Sequence, residues 1–151
     1  MKPIDKVIRG VIVPLHEMSI IMPNAAIAEV INYVEYEKIE QSPDWFLGFI
    51  DWRGTKIALC SFEAITGCER ATKSDLSRII VINRLQNTEK VAFYALLTQG
   101  IPRLTKVSRG EIIEEKGATR LPGVKQAVTV NGVSALIPDI SVLSNMVKQV
   151  N

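Results

Sequence analysis

Histidine occurs once, at His16, and cysteine twice, at Cys60 and Cys68, eight residues apart. A zinc knuckle needs a further pair of ligands at close spacing and a dithiol centre needs a CxxC, so neither can be assembled, and both thiols are expected to be reduced. No metal and no cofactor is expected. Long apolar runs are missing as well. The longest uninterrupted one, 91–97, has seven residues, against the roughly 20 of a membrane-spanning helix. Near the start, Val11-Ile12-Val13 runs into Pro14 and the polar pair His16-Glu17, too short for a secretion-signal core, so a cytoplasmic location is the expectation. Neither sign of charge prevails: 18 Lys and Arg face 16 Asp and Glu, a net +2, scattered along the chain. Binding to a phosphate backbone needs converging cations, so a nucleic-acid partner is disfavoured. GxSxG, HExxH, P-loop and GxGxxG motifs are all absent.

What remains is an ordinary globular mixture, 47% hydrophobic and 23% charged over 151 residues, which fits one compact domain. Most of it reads as short strands. Gly10 to Leu15 and Met18 to Met22 are rich in β-branched residues and flank His16-Glu17 as a hairpin. Pro23-Asn24 starts a short turn that leads back into a strand through Ile27 and Ile31. Trp45 to Trp52 is a strand, Arg53-Gly54 a tight turn and Lys56 to Cys60 the returning strand. Ser61 stands at an N-cap before Phe62 to Ile65, with Gly67 as the stop. Arg78 to Asn83 is the next strand, 85–89 is turn-like, and 90–97 is a strand with a very apolar face. Ile101 to Val107 and Glu111 to Glu115 are further strands, the first at an edge because of Pro102. Val124 to Val130, Asn131-Gly132 and Val133 to Ile137 form the strongest hairpin signal, since Asn-Gly suits a type I′ turn. Pro138-Asp139 then opens a helix through Ile140, Leu143 and Val147.

An offset of 78 residues sets Gly54 on Gly132, Ile57-Ala58-Leu59 on Ala135-Leu136-Ile137, Phe62 on Ile140 and Ile65 on Leu143. This weak internal repeat predicts two small barrels. A unit of roughly 70 residues has a marginal core of its own, so the two should share buried surface as one folding unit. The expected division is a single domain over residues 1–151, with one subdomain at about 10–70, a second at about 76–138, and a C-terminal helix at 139–148 packing back.

The enzyme case is thin. His16 sits in a hairpin turn, where a solvated histidine is the usual finding, and Cys60 lies mid-strand in an apolar run, where a small core residue is the usual one. In the strand before the tight turn, Gly48, Ile50 and Trp52 share one face and Phe49, Asp51 and Arg53 the other, so Trp52 is read as core. Arg53 projects at a barrel end, where a solvated arginine and one paired with a carboxylate are both open readings.

The segment from Pro43 to Ile57, with Ile27-Ala28-Glu29-Val30-Ile31 upstream, resembles the CheW-like adaptor family of bacterial chemosensory systems. Glu29, Pro43, Gly48, Trp52, Arg53 and Gly54 fill its pattern of hydrophobic–x–Glu–hydrophobic, a Pro-containing loop, and Gly–x–x–x–hydrophobic–Arg–Gly. The match is specific through residue 67 and looser beyond it. Asp51 stands where Asn is common, and Ala58-Leu59-Cys60-Ser61-Phe62-Glu63 replaces a Pro–x–x–Asp–Leu stretch. Asp51-Trp52-Arg53-Gly54 together with Ser61-Phe62-Glu63 resembles the branch associated with type IV pilus and twitching systems.

The resemblance implies a mainly β fold of two tandem five-stranded SH3-like β-barrels with short helices, packed as one unit. It also implies a non-enzymatic adaptor coupling a methyl-accepting receptor tip to the regulatory domain of a chemotaxis-type histidine kinase. The partner-binding residues it implies are Ile27, Glu29, Gly48, Arg53 and Gly54, with Glu29 and Arg53 meeting at a groove and Gly48 leaving backbone open to a docking helix. If Gly48 only bends its strand, alanine there should cost about a kilocalorie or less. The alternatives are a small β-barrel enzyme using Cys60 or His16 and an SH3-like nucleic-acid-binding module.

Overall fold

The computed structural model describes residues 7–83 and 93–150. The chain is mainly β. Strands β1 (Val7–Pro14) and β2 (Ser19–Pro23) form the first hairpin, and a 3-10 turn at Asn24–Ala26 leads into β3 (Ile27–Asn32). Then come β4 (Phe46–Trp52), β5 (Thr55–Cys60), the one-turn helix α1 (Phe62–Ile65), β6 (Arg78–Ile82), β7 (Tyr94–Thr98) and β8 (Arg103–Ser108). A second 3-10 turn, Arg109–Glu111, precedes β9 (Ile112–Glu114), β10 (Val124–Val130), β11 (Val133–Pro138) and α2 (Ile140–Lys148). The turn expected at 85–89 and the first residues of the strand expected from 90 lie outside the described residues.

Two sheets hold these strands, one six-stranded in the order β8-β1-β2-β11-β10-β9 and one five-stranded in the order β3-β6-β7-β5-β4. The grouping corrects the expected split between residues 70 and 76. β6 and β7 do not begin a second sheet: they pair antiparallel with each other, and β6 also pairs with β3, in the middle of the five-stranded sheet. The six-stranded sheet takes β1 and β2 from the start of the chain and β8 to β11 from its end. One sheet is thus inserted between strands of the other. The reason lies in side-chain patterning, for β5, β6 and β7 are buried on both faces, and such strands sit inside a sheet rather than at its edge.

Alternation along the strands sorts the apolar residues into three clusters. Ile57, Leu59, Ile79, Val81, Ala95 and Leu97 pack inside the five-stranded sheet. Ile12, Ile21, Val107, Val128 and Val130 do the same in the six-stranded sheet. Their neighbours on the opposite faces, among them Val11, Val13, Ile20, Ala58, Cys60, Ile80, Ile82, Tyr94 and Leu96, meet in one cluster shared by both sheets, which Leu143 and Val147 of α2 complete. The two sheets therefore bury a common core.

The 78-residue repeat is present in three dimensions. β4 and β10, β5 and β11, and the caps Ser61 and Asp139 correspond residue for residue. Ser61 accepts from Ala64 N and Asp139 from Val142 N, again at the same offset. Arg53-Gly54 (φ 49° and 78°) and Asn131-Gly132 (φ 49° and 81°) make two-residue turns with both φ positive, as type I′ requires. Even the bulges coincide, at Phe46/Gly48 and Val124/Gln126. Upstream of both, the backbone of residue 37 pairs with Phe49 and that of residue 115 donates to Ala127.

Candidate functional site

β3 and β4 are the two edges of the five-stranded sheet, and Glu29 joins them. One oxygen, Oε1, accepts from Trp52 Nε1 at 3.0 Å and lies 3.1 Å from an Arg53 guanidinium nitrogen. The guanidinium also sits over the Trp52 ring, 4.9 Å from its centroid, a cation–π contact. Sheet curvature and local turn chemistry produce this meeting. The sheet curls until its edges approach, the backbone bridge between Glu37 and Phe49 ties the segment that follows β3 to β4, and the Arg53-Gly54 turn lifts Arg53 out of the strand toward Trp52.

Arg53 and Glu29 stay accessible, with side chains 69% and 38% exposed, so the pair contributes only about 0.2–1 kcal/mol to stability. The repeat shows that the fold does not require the trio. The residues equivalent to Trp52 and Arg53 are Val130, buried in the other sheet's core, and Asn131, the turn residue. Architecture asks for a turn at this place, and only one half adds an aromatic ring, a guanidinium and a carboxylate.

The other expected residues are placed differently. Ile27 is half-buried against the core shared by both sheets. Gly54 has φ 78° and open space around the position of an added Cβ, so it serves the turn at the margin of the charged trio. Gly48 is a correction. It is buried, not open to a docking helix, and a Cβ there would lie 2.2 Å from the Glu37 carbonyl oxygen. The chain's own residues 36–37 occupy the approach that its missing side chain allows, and its φ of 154° completes the bulge.

That bulge also shifts strand parity, so that Leu47, Ile50 and Trp52 all pack on the sheet's own core while Phe49 faces the shared one. Trp52 is thus half in the core and half in the site, a role the strand pattern missed. The signal lay in its indole N–H, which needs an acceptor when buried.

The enzyme candidates are in unsuitable places. Cys60 is buried in the shared core, where burial pushes its thiol up to about 12, so almost no thiolate exists near neutrality. His16 is exposed in the β1–β2 turn, and its backbone N–H, not its ring, donates to Glu63 Oε2 at 2.9 Å. Glu63 itself is buried in α1, where the Ser61 hydroxyl also approaches its carboxylate. It ties the first hairpin to the helix. Among the described residues no cluster of His, Cys, Asp and Glu could hold a metal ion. No helix among them is long and apolar enough to cross a membrane.

Two curled sheets sharing a core, with an exposed carboxylate–guanidinium pair at one sheet closure and no assembled catalytic group among the described residues, define a β module whose accessible features suit contact with other proteins. The chain belongs to the CheW-like domain family, whose model matches residues 9–148. In fold it is similar to the crystal structure of the scaffolding protein TtCheW from Thermoanaerobacter tengcongensis, with a TM-score of 0.74 over 89% of this chain and 90% of that one, at 20% identity. That likeness shows the two-barrel SH3-like fold. No curated protein matches the sequence.

Proposed function

We propose that this chain is a non-enzymatic adaptor of a bacterial chemosensory system, holding a methyl-accepting receptor tip and the regulatory domain of a chemotaxis-type histidine kinase on one rigid body. Membership of the CheW-like family supports the reading. The observation that carries the receptor-binding part is the asymmetry of the repeat, which keeps Glu29, Trp52 and Arg53 in only one half. Among the described residues no donor reaches Glu29 Oε2, so carboxylate and guanidinium both retain capacity for a partner.

The receptor surface in this proposal is Glu29, Arg53 and Gly54, with Ile27 as an apolar neighbour. Gly48 acts beneath it by keeping β4 fastened to residue 37. Two modest interfaces on one body gain strength by avidity in an array. The Asp51-Trp52-Arg53-Gly54 and Ser61-Phe62-Glu63 resemblance supports a type IV pilus or twitching system as the setting, and such proteins work in the cytoplasm.

Binding of a purified receptor hairpin tip to the wild type and to Arg53→Glu, measured by calorimetry, tests the receptor reading. Arg53 is exposed, so the variant should melt within a few degrees of wild type while affinity falls about tenfold or more. Unchanged affinity in the folded variant would remove the site. A pull-down with the kinase regulatory domain tests the coupling separately, and failure to retain it would remove the kinase from the proposal.

A further inference from the structure

We infer that the cup between β9 and β10 binds an acidic protein segment through Lys116, Arg120 and Lys125. The chain from 115 to 123 folds back on its own strand. Glu115 N donates to Ala127 O at 2.8 Å, Ala118 N to Glu115 O at 3.3 Å and Val124 N to Leu121 O at 3.2 Å. These bonds enclose a concavity of about 230 Å³ lined by the three cations. Its base is fixed. Gly123 has φ 76°, an added Cβ there would lie 2.6 Å from Ile65 Cγ2, and its carbonyl accepts Asp139 N–H at 2.8 Å.

Lys125 is aimed by the β10 bulge, a device that redirects side chains. The repeat supplies the comparison. The corresponding bulged residue of β4 is Leu47, buried in its sheet's core, so the fold needs a bulge here and does not need a lysine. Arg53, Lys56, Arg70 and Lys73 each hold a carboxylate, whereas among the described residues none of the three cup cations forms an ion pair. Glu115, the carboxylate of the lining, is engaged by the Thr129 hydroxyl. Three cations thus face one carboxylate, which leaves an excess of positive charge around a preformed hollow.

The chemistry favours side-chain carboxylates over phosphate. Phosphate sites are built from converging backbone N–H groups, and here the N–H groups of Glu115, Ala118 and Val124 are spent within the loop. The side chains that line the hollow include three long cations, one a guanidinium whose fork matches a carboxylate, interleaved with half-buried Leu121 and Val124. That combination suits Asp and Glu residues around an apolar one. The cup belongs to the six-stranded sheet and stands apart from the Glu29–Arg53 closure of the other, so it does not depend on the receptor proposal.

The probe is a fluorescein-labelled peptide, Glu-Glu-Leu-Glu-Asp, titrated into the intact chain by fluorescence anisotropy and by backbone-amide NMR. The expected result is saturable binding, with shifts centred on residues 115–127. Arg120→Glu with Lys125→Glu should weaken it about tenfold or more, and Lys125→Gln should weaken it less, at unchanged melting temperature because both residues are exposed. Arg103→Glu with Lys106→Glu, the same charge change on β8, should leave affinity within about twofold. An equal loss in that control would reduce the effect to net charge and overturn the site. Unmoved amides at 115–127 would also overturn it, as would inorganic phosphate shifting them at lower concentration than the peptide.

Discussion

Glu29 serves fold and surface with one oxygen. Its hydrogen bond to Trp52 closes the five-stranded sheet from within, and its contact with Arg53 presents charge at the same closure. A double-mutant cycle of Glu29→Gln and Arg53→Ala should give a coupling of about 0.2–1 kcal/mol in urea unfolding, while Trp52→Phe, which keeps the ring and deletes the donor, should cost about 1 kcal/mol. Zero coupling would leave orientation without an energetic basis. Cys60 makes a second residue-scale test. Its thiol titrates near 9 when unfolded and about 12 when folded, so the folded state favours the protonated form. The stabilisation is complete below about pH 9 and is lost as pH rises toward 12, because only the unfolded chain releases the proton in that window. Cys60→Ala should flatten the alkaline fall in melting temperature. Under native conditions iodoacetamide should label exposed Cys68 and spare Cys60; rapid double labelling would contradict the buried placement.

Two glycines of the same hairpin separate the causes of glycine at the level of elements. Gly54 has φ 78° and nothing within 4 Å of an added Cβ, so Gly54→Ala should cost about 1 kcal/mol, from backbone conformation alone. Gly48→Ala meets the Glu37 carbonyl as well and should cost about 2–4 kcal/mol by thermal or denaturant unfolding. Equal costs would mean that the 36–37 segment yields easily. This pair also shows what was legible in the sequence. Both two-residue turns, the Ser61 cap, the opening of α2 at Pro138-Asp139 and the β4–β5 and β10–β11 hairpins were readable, because each is specified by neighbours in the chain. The Glu29–Arg53 meeting came from the family pattern rather than from spacing. Gly48 was misread because the atom it makes room for is eleven residues upstream, and Trp52's double role was hidden because a bulge changes parity without changing composition. The cup cations went unremarked, since scattered charges look solvated until a loop gathers them.

At the scale of the whole molecule, insertion of one sheet between strands of the other determines how it must fold. Local patterning supplied the strands and the repeat, but pairings between distant segments, β8 with β1 and β11 with β2, carry no local signature. A cut between residues 70 and 71 strands β6 and β7 away from β3 and β5, so neither 1–70 nor 71–151 retains a complete sheet. A cleaner excision, 24–98, keeps all of β3 to β7 together and is the sharper test. It still exposes the faces of Ala58, Cys60, Ile80, Ile82, Tyr94 and Leu96, which the intact chain covers with Val11, Val13, Ile20 and α2. Leaving such side chains in water forfeits about 1.5–3 kcal/mol for each large one, and four of them together forfeit an amount comparable with the whole stability of an ordinary small domain. The intact protein should therefore melt in one transition seen alike by circular dichroism and tryptophan fluorescence. Fragment 24–98, which retains both Trp45 and Trp52, should show no cooperative transition at all. A sigmoidal melt of that fragment at ordinary temperature would show that the five-stranded sheet stands alone and that the shared core joins two independent units.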